Sequence, residues 1–152
     1  MAITIRPLGD DLPFGARISG VTRENSTDAG LRAQINAVFE DRGMIVFEDM
    51  EPSNAMQVAL SRVFGELEDH AIGDRMPMAD DDVRGMTDFD YLDVFEIDGE
   101  EVSGWVPWHI DACYAPRLNR GGILRPIVIS PEGGRTGFAD GIQLYRAIDP
   151  AL

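Results

Sequence analysis

The stretch Trp108-His109-Ile110-Asp111 decides how the rest of the chain is read. Side chains along a β-strand alternate between faces, so extended backbone here would set the His109 imidazole beside the Asp111 carboxylate. A nitrogen and an oxygen donor two residues apart make two thirds of the 2-His-1-carboxylate set that holds ferrous iron with positions left open. The same tripeptide also describes an edge-strand histidine next to a solvated aspartate. The flanking sequence has to separate the two.

Upstream, Tyr91 to Ile97 and Glu101 to Trp108 flank Asp98-Gly99, a dipeptide suited to a tight hairpin turn, and the second arm would deliver His109 and Asp111. Downstream, Gly121 to Ser130 reads as a strand carrying Ile123, Leu124, Ile127, Val128 and Ile129. Pro131-Glu132-Gly133-Gly134 reads as a turn and Arg135 to Ala139 as a further strand. Asp140 then caps a short helix through Ile148, with Leu144 and Ile148 facing inward.

The N-terminal half has a different pattern. Ile3 to Leu8 alternates as a short strand, Gly9-Asp10-Asp11 turns, and Ala16 to Val21 forms a second strand. From Asp28 to Arg42, Leu31, Ile35, Val38 and Phe39 share one helical face, with Ser26 or Thr27 as N-cap and Gly43 just past the end. Met44-Ile45-Val46-Phe47 is a continuous apolar run of strand length. Ser53 caps a second helix that turns Met56, Leu60, Val63 and Phe64 inward and stops at Gly65. Between Glu66 and Asp90 the periodicity dissolves into a long loop, where Asp80-Asp81-Asp82 reads as a solvated charge run rather than a calcium loop.

With 152 residues, 44% of them hydrophobic, one folding unit over 1–152 is expected. The formal net charge is -14, and all 13 basic residues are arginine. Such a chain repels phosphate backbones and anionic lipid, so neither nucleic acid nor a membrane is expected as a partner. No apolar run approaches the ~18 residues of a membrane span. The sole cysteine, Cys113, excludes an internal disulfide and reads as a small buried hydrophobe; with no secretory signal, a cytoplasmic location is expected.

Three stretches, taken in order, resemble the TauD/TfdA (taurine dioxygenase) family. Phe14-Gly15-Ala16-Arg17-Ile18-Ser19-Gly20 is similar to its opening segment, and Phe64-Gly65-Glu66-Leu67 to the turn after its second helix. The most specific match is Trp108-His109-Ile110-Asp111 followed by Gly133-Gly134-Arg135-Thr136-Gly137-Phe138-Ala139-Asp140. The resemblance implies a mainly β fold with flanking helices (α+β), a double-stranded β-helix or jelly roll, incomplete in this chain. It also implies Fe(II) as metal and 2-oxoglutarate as co-substrate, with O2 and a small, anionic organic molecule as the other reactants. Residue by residue, His109 and Asp111 match the first two iron ligands and Thr136 the hydroxyl that binds the far carboxylate of 2-oxoglutarate. His70 matches a substrate contact. Trp108 is expected to pack beside the metal, and Arg117, Arg120 and Arg125 to be surface charges.

The family pattern also needs a distal His and, about ten residues on, an Arg. With only two histidines in the sequence, the chain is expected to be an N-terminal part, truncated before both. An uncovered half of this kind favours a homo-oligomer or a completing chain. The alternative is an inactive half-domain that acts as a binding or interaction protein.

Overall fold

The computed structural model describes residues 2–67, 78–79, 82–83, 94–97, 100–103, 108–111, 113–114, 116–127, 129, 131–133 and 135–151. His70, Asp80, Asp81 and the Asp98-Gly99 dipeptide lie outside them.

Strand β1 (Thr4–Pro7) pairs antiparallel with β2 (Ala16–Ser19), which pairs in parallel with β3 (Ile45–Glu48), giving the order β1-β2-β3. A parallel pair needs a crossover, and α1 (Ala29–Arg42) supplies it. Thr22, Asn25 and the 3-10 turn over Asn25–Thr27 shape the approach, and the N-cap is Asp28, whose carboxylate accepts from the Leu31 N–H at 2.8 Å. Ser26 and Thr27, the expected caps, instead turn their hydroxyls back onto the carbonyls of Arg23 and Glu24. Their short side chains are captured by the preceding turn before they can reach the helix. Gly43 ends α1 in the left-handed region at φ 70°, with its N–H on the Phe39 carbonyl at 2.8 Å.

Helix α2 (Asn54–Phe64) follows. Ser53 caps it by accepting from the Met56 N–H at 3.0 Å, while its own hydroxyl donates to Glu51. Met56, Leu60 and Val63 are buried with Ile18, Val21 and Ile35 in one cluster, against which Ile3, Ile5, Leu31, Val38, Phe47 and Phe64 pack. Phe64 meets the edges of Phe39 and Phe47 at centroid distances of 5.2 and 6.4 Å. Val58 is buried as well, on the side of α2 opposite the face expected from sequence and outside that cluster. Each fully buried side chain of this size contributes about 1.5–3 kcal/mol.

The other face of the sheet is polar. Arg6 and Arg17 sit directly opposite each other across β1 and β2, and Glu48 of β3 pairs with both, at 2.9 Å to Arg17. These two guanidinium donors hold the Glu48 carboxyl below the usual carboxylate range.

Beyond residue 67 the described elements are short. β4 (Met78–Ala79) pairs with β5 (Asp82–Val83), and β6 (Val94–Ile97) pairs antiparallel with β7 (Glu100–Ser103). The register Ile97↔Glu100 leaves two residues for the turn, as the hairpin reading expects. The strands expected over 121–130 and 135–139 do not form among the described residues, because no neighbouring strand pairs with either stretch. Beyond residue 67 the described residues hold two two-stranded ladders and one helix, and no described pair of facing sheets makes a jelly roll. α3 (Gly141–Ala147) is capped by Asp140 as expected, at 2.9 Å from the Ile142 N–H. Leu144 and Ile148 do not face inward; both are exposed, since nothing described packs on this helix. Cys113 is exposed rather than buried, for the same lack of a covering layer. No described helix is long and apolar enough to cross a membrane.

Candidate functional site

The segment carrying Trp108 to Asp111 is a bend and turn, not a strand. The two donors nevertheless meet: His109 Nε2 stands 2.8 Å from Asp111 Oδ1. Face-sharing in a strand is thus replaced by a turn that folds the two side chains onto one point. Two donors each about 2.1 Å from a six-coordinate cation stand about 3 Å apart when they occupy neighbouring positions. The observed spacing therefore fits a nitrogen and an oxygen ligand on one ion, and it also serves as a hydrogen bond between the two side chains. Both are open to water, at 53% and 78% side-chain exposure. Among the described residues no group of three or more His, Cys, Asp or Glu side chains could hold a metal.

Trp108 is 72% exposed, yet its ring lies over Gly137. A Cβ at position 137 would come within 2.7 Å of the indole Cη2, so the approach depends on glycine there. This contact brings the stretch that begins with Trp108 against the one that contains Thr136, whose side chain is exposed. His70 lies outside the described residues.

Residues 119–125 fasten this half of the molecule to α1 and α2. Arg120 donates to Asn36 Oδ1 at 2.5 Å and to the Phe64 carbonyl at 2.9 Å; it also pairs with Glu40 and lies 5.9 Å over the Phe39 ring. Asn36 completes the junction by donating to the carbonyls of Arg32 and Val63. Arg125 donates to Gln57 at 3.1 Å and to Asn54, and Gln57 returns a bond to the Ile123 carbonyl at 3.2 Å. Ile123 packs against the core cluster, and a Cβ on Gly121 would press on Phe39 at 3.2 Å. Arg120 and Arg125 are therefore anchors, which corrects their expected standing as surface charges. Their partners lie 56 to 84 residues away, a separation that leaves no local signature.

The family model for "Taurine catabolism dioxygenase TauD, TfdA family" matches residues 4–152. The chain belongs to the TauD/TfdA family. Over 151 residues it is 32% identical to an (S)-phenoxypropionate/alpha-ketoglutarate-dioxygenase of Sphingobium herbicidovorans, covering 99% of this chain and 50% of that protein. A Delftia acidovorans protein of the same description is 30% identical, with 98% and 50% covered. The alpha-ketoglutarate-dependent 2,4-dichlorophenoxyacetate dioxygenase of Cupriavidus pinatubonensis is 24% identical, with 89% and 50% covered. The chain thus spans about half the length of the TauD/TfdA relatives it matches. The crystal structure of AAD-2 in complex with Mn(II) and N-oxalylglycine overlays 43% of this chain and 25% of that one, at 24% identity and a TM-score of 0.38. An overlay that small decides nothing about architecture.

Proposed function

We propose that this chain contributes two protein ligands, His109 and Asp111, to the Fe(II) centre of a 2-oxoglutarate-dependent dioxygenase. The observation that carries the reading is the 2.8 Å approach of His109 Nε2 to Asp111 Oδ1 in a chain of the TauD/TfdA family. Bound iron would supply the redox chemistry that couples decarboxylation of 2-oxoglutarate to hydroxylation of a substrate C–H bond, with release of succinate and CO2. His109 and Asp111 hold the ion, Thr136 binds the far carboxylate of 2-oxoglutarate, and His70 contacts the substrate. The Trp108 ring on Gly137 keeps the stretch bearing His109 and Asp111 beside the one bearing Thr136. The substrate is a small organic anion, in keeping with the phenoxy carboxylates for which the relatives are named. The whole site belongs to one jelly-roll domain, in which a distal His and Arg come from sequence beyond these residues.

Anaerobic titration with Fe(II) and 2-oxoglutarate, following the visible charge-transfer band of the chelate, tests the reading. The band is expected with the unsubstituted chain, and Asp111→Ala or His109→Ala should weaken Fe(II) binding at least tenfold. The 152-residue chain alone should form no succinate, because the described residues offer the ion two ligands and not three. A band that survives Asp111→Ala, or no Fe(II) binding at millimolar metal, overturns the assignment.

A further inference from the structure

Gly133 and Gly137 lie in one stretch and are glycine for opposite reasons. Gly133 has φ 69°, in the left-handed region that side chains disfavour, yet a Cβ there would meet nothing within 4 Å. Gly137 has no such backbone need, because its φ lies outside that region. What a side chain at 137 would meet is Trp108. The three heavy atoms nearest the Cβ position are Cη2 at 2.7 Å and Cζ2 and Cζ3 at 3.4 Å, the outer edge of the indole. One ring therefore imposes glycine at this position, and it does so from a different stretch of the chain.

Each end of the contact is one residue from a group assigned above. Trp108 precedes His109, whose Nε2 lies 2.8 Å from Asp111 Oδ1, and Gly137 follows Thr136. The Trp108 ring is largely in water, so no surrounding core holds it over Gly137. A methyl group at 137 would sit well inside the ordinary carbon–carbon contact of about 3.5–4.0 Å. The exposed ring would then yield by rotating about its side-chain torsions, and the backbone would stay. We propose that Gly137 is a positioning residue: by leaving room for the Trp108 ring it sets the His109–Asp111 turn against Thr136. It touches neither the ion nor the co-substrate, and its role rests on the assignment of His109, Asp111 and Thr136 made above. A co-substrate held at one end by the ion and at the other by Thr136 senses the spacing of the two stretches, whereas the ion senses only the turn that carries its two ligands. Loss of the contact should therefore lower affinity for 2-oxoglutarate and spare affinity for Fe(II).

The test is Gly137→Ala in the 152-residue chain, alone and combined with Trp108→Phe, which removes the outer indole edge. In the metal-free chain, NMR should show nuclear Overhauser contacts between the Trp108 ring and the Gly137 Hα protons. In Gly137→Ala the ring should lose its contact with the backbone of 137, and the amide signals of 109–111 and 136 should shift together. At saturating Fe(II), the 2-oxoglutarate concentration that half-fills the chelate band should rise roughly tenfold in Gly137→Ala, with Fe(II) affinity and urea midpoint unchanged. In the Trp108→Phe background Gly137→Ala should have no further effect, because the atoms it strikes are gone. Gly141→Ala is the control: a Cβ there meets nothing within 4 Å, so 2-oxoglutarate affinity should not change. Equal weakening by Gly137→Ala in both backgrounds overturns the proposal, as does an equal loss in Gly141→Ala. A lowered urea midpoint in Gly137→Ala, which marks a merely structural role, or the absence of the ring contact in the metal-free chain overturns it too. If the unsubstituted chain gives no chelate band while the metal-free signals behave as expected, the metal assignment fails and the positioning stands, so the two failures are distinguishable.

Discussion

Residues 2–67 and residues 108–151 are both rich in apolar side chains, but only the first region buries them. Every described residue counted as buried core lies between Ala16 and Val63, while Ile127, Ile129 and Tyr145 stand in water. The difference is one of partners rather than composition. The β2-α1-β3 unit brings its own cover, because α1 crosses over the sheet it connects and α2 closes the core. The later region meets that layer through Arg120, Arg125 and Ile123, and the large apolar side chains that remain among its described residues are exposed.

The sharpest way to break this comparison is to remove one buried and one exposed aliphatic side chain. Ile35→Ala, at a site with no solvent exposure, should lower unfolding free energy by about 2–5 kcal/mol. Leu144→Ala should stay within about 0.5 kcal/mol. Equal effects in urea denaturation would show that the two regions are packed alike. Next in size is the junction: Arg120→Ala removes bonds to Asn36, Glu40 and Phe64, and should cost about 1–2 kcal/mol. Its effect should appear first as faster amide exchange over 119–125, before any change at Ile18 or Ile35.

The helix caps refine the contrast. Asp28→Ala should cost about 1 kcal/mol of global stability because α1 is part of the core, whereas Asp140→Ala should reduce only the helicity of α3. A shift in global midpoint for Asp140→Ala would mean that α3 is packed. The smallest effect concerns pH. Arg6 and then Arg17 depress the Glu48 pKa in the folded chain, so the stabilisation is present above the ordinary glutamate value of 4.5. It is lost as pH falls through the lower folded value. Glu48→Gln should flatten the acid limb of the stability profile without altering the Fe(II) response, and an unchanged acid limb would dismiss the Arg6-Glu48-Arg17 arrangement as a stabilising contact.

Local chemistry made much of the first region legible. The period of Leu31, Ile35, Val38 and Phe39, the Ser53 cap and the Gly43 stop are written within one or two helical turns, and the helices follow. The hairpin around Asp98-Gly99 is legible for the same reason. Among the described residues the strands expected at 121–130 and 135–139 do not form, because a strand is a pairing and a sequence pattern cannot supply its neighbour. At the candidate site, the donor types and their proximity in sequence were evident, but the turn that joins them was not.

Sequence alone determined that a histidine and an aspartate stand two residues apart at 109 and 111, the two N-terminal helices with the Ser53 cap and the Gly43 stop, and membership of the TauD/TfdA family. Those features depend on residue identity and short-range geometry. Tertiary structure decided which apolar residues are buried, that Arg120 and Arg125 reach back across 56 to 84 residues to α1 and α2, and that Trp108 rests on Gly137. Burial and long-range hydrogen bonds depend on what the rest of the chain places nearby, so no local pattern encodes them.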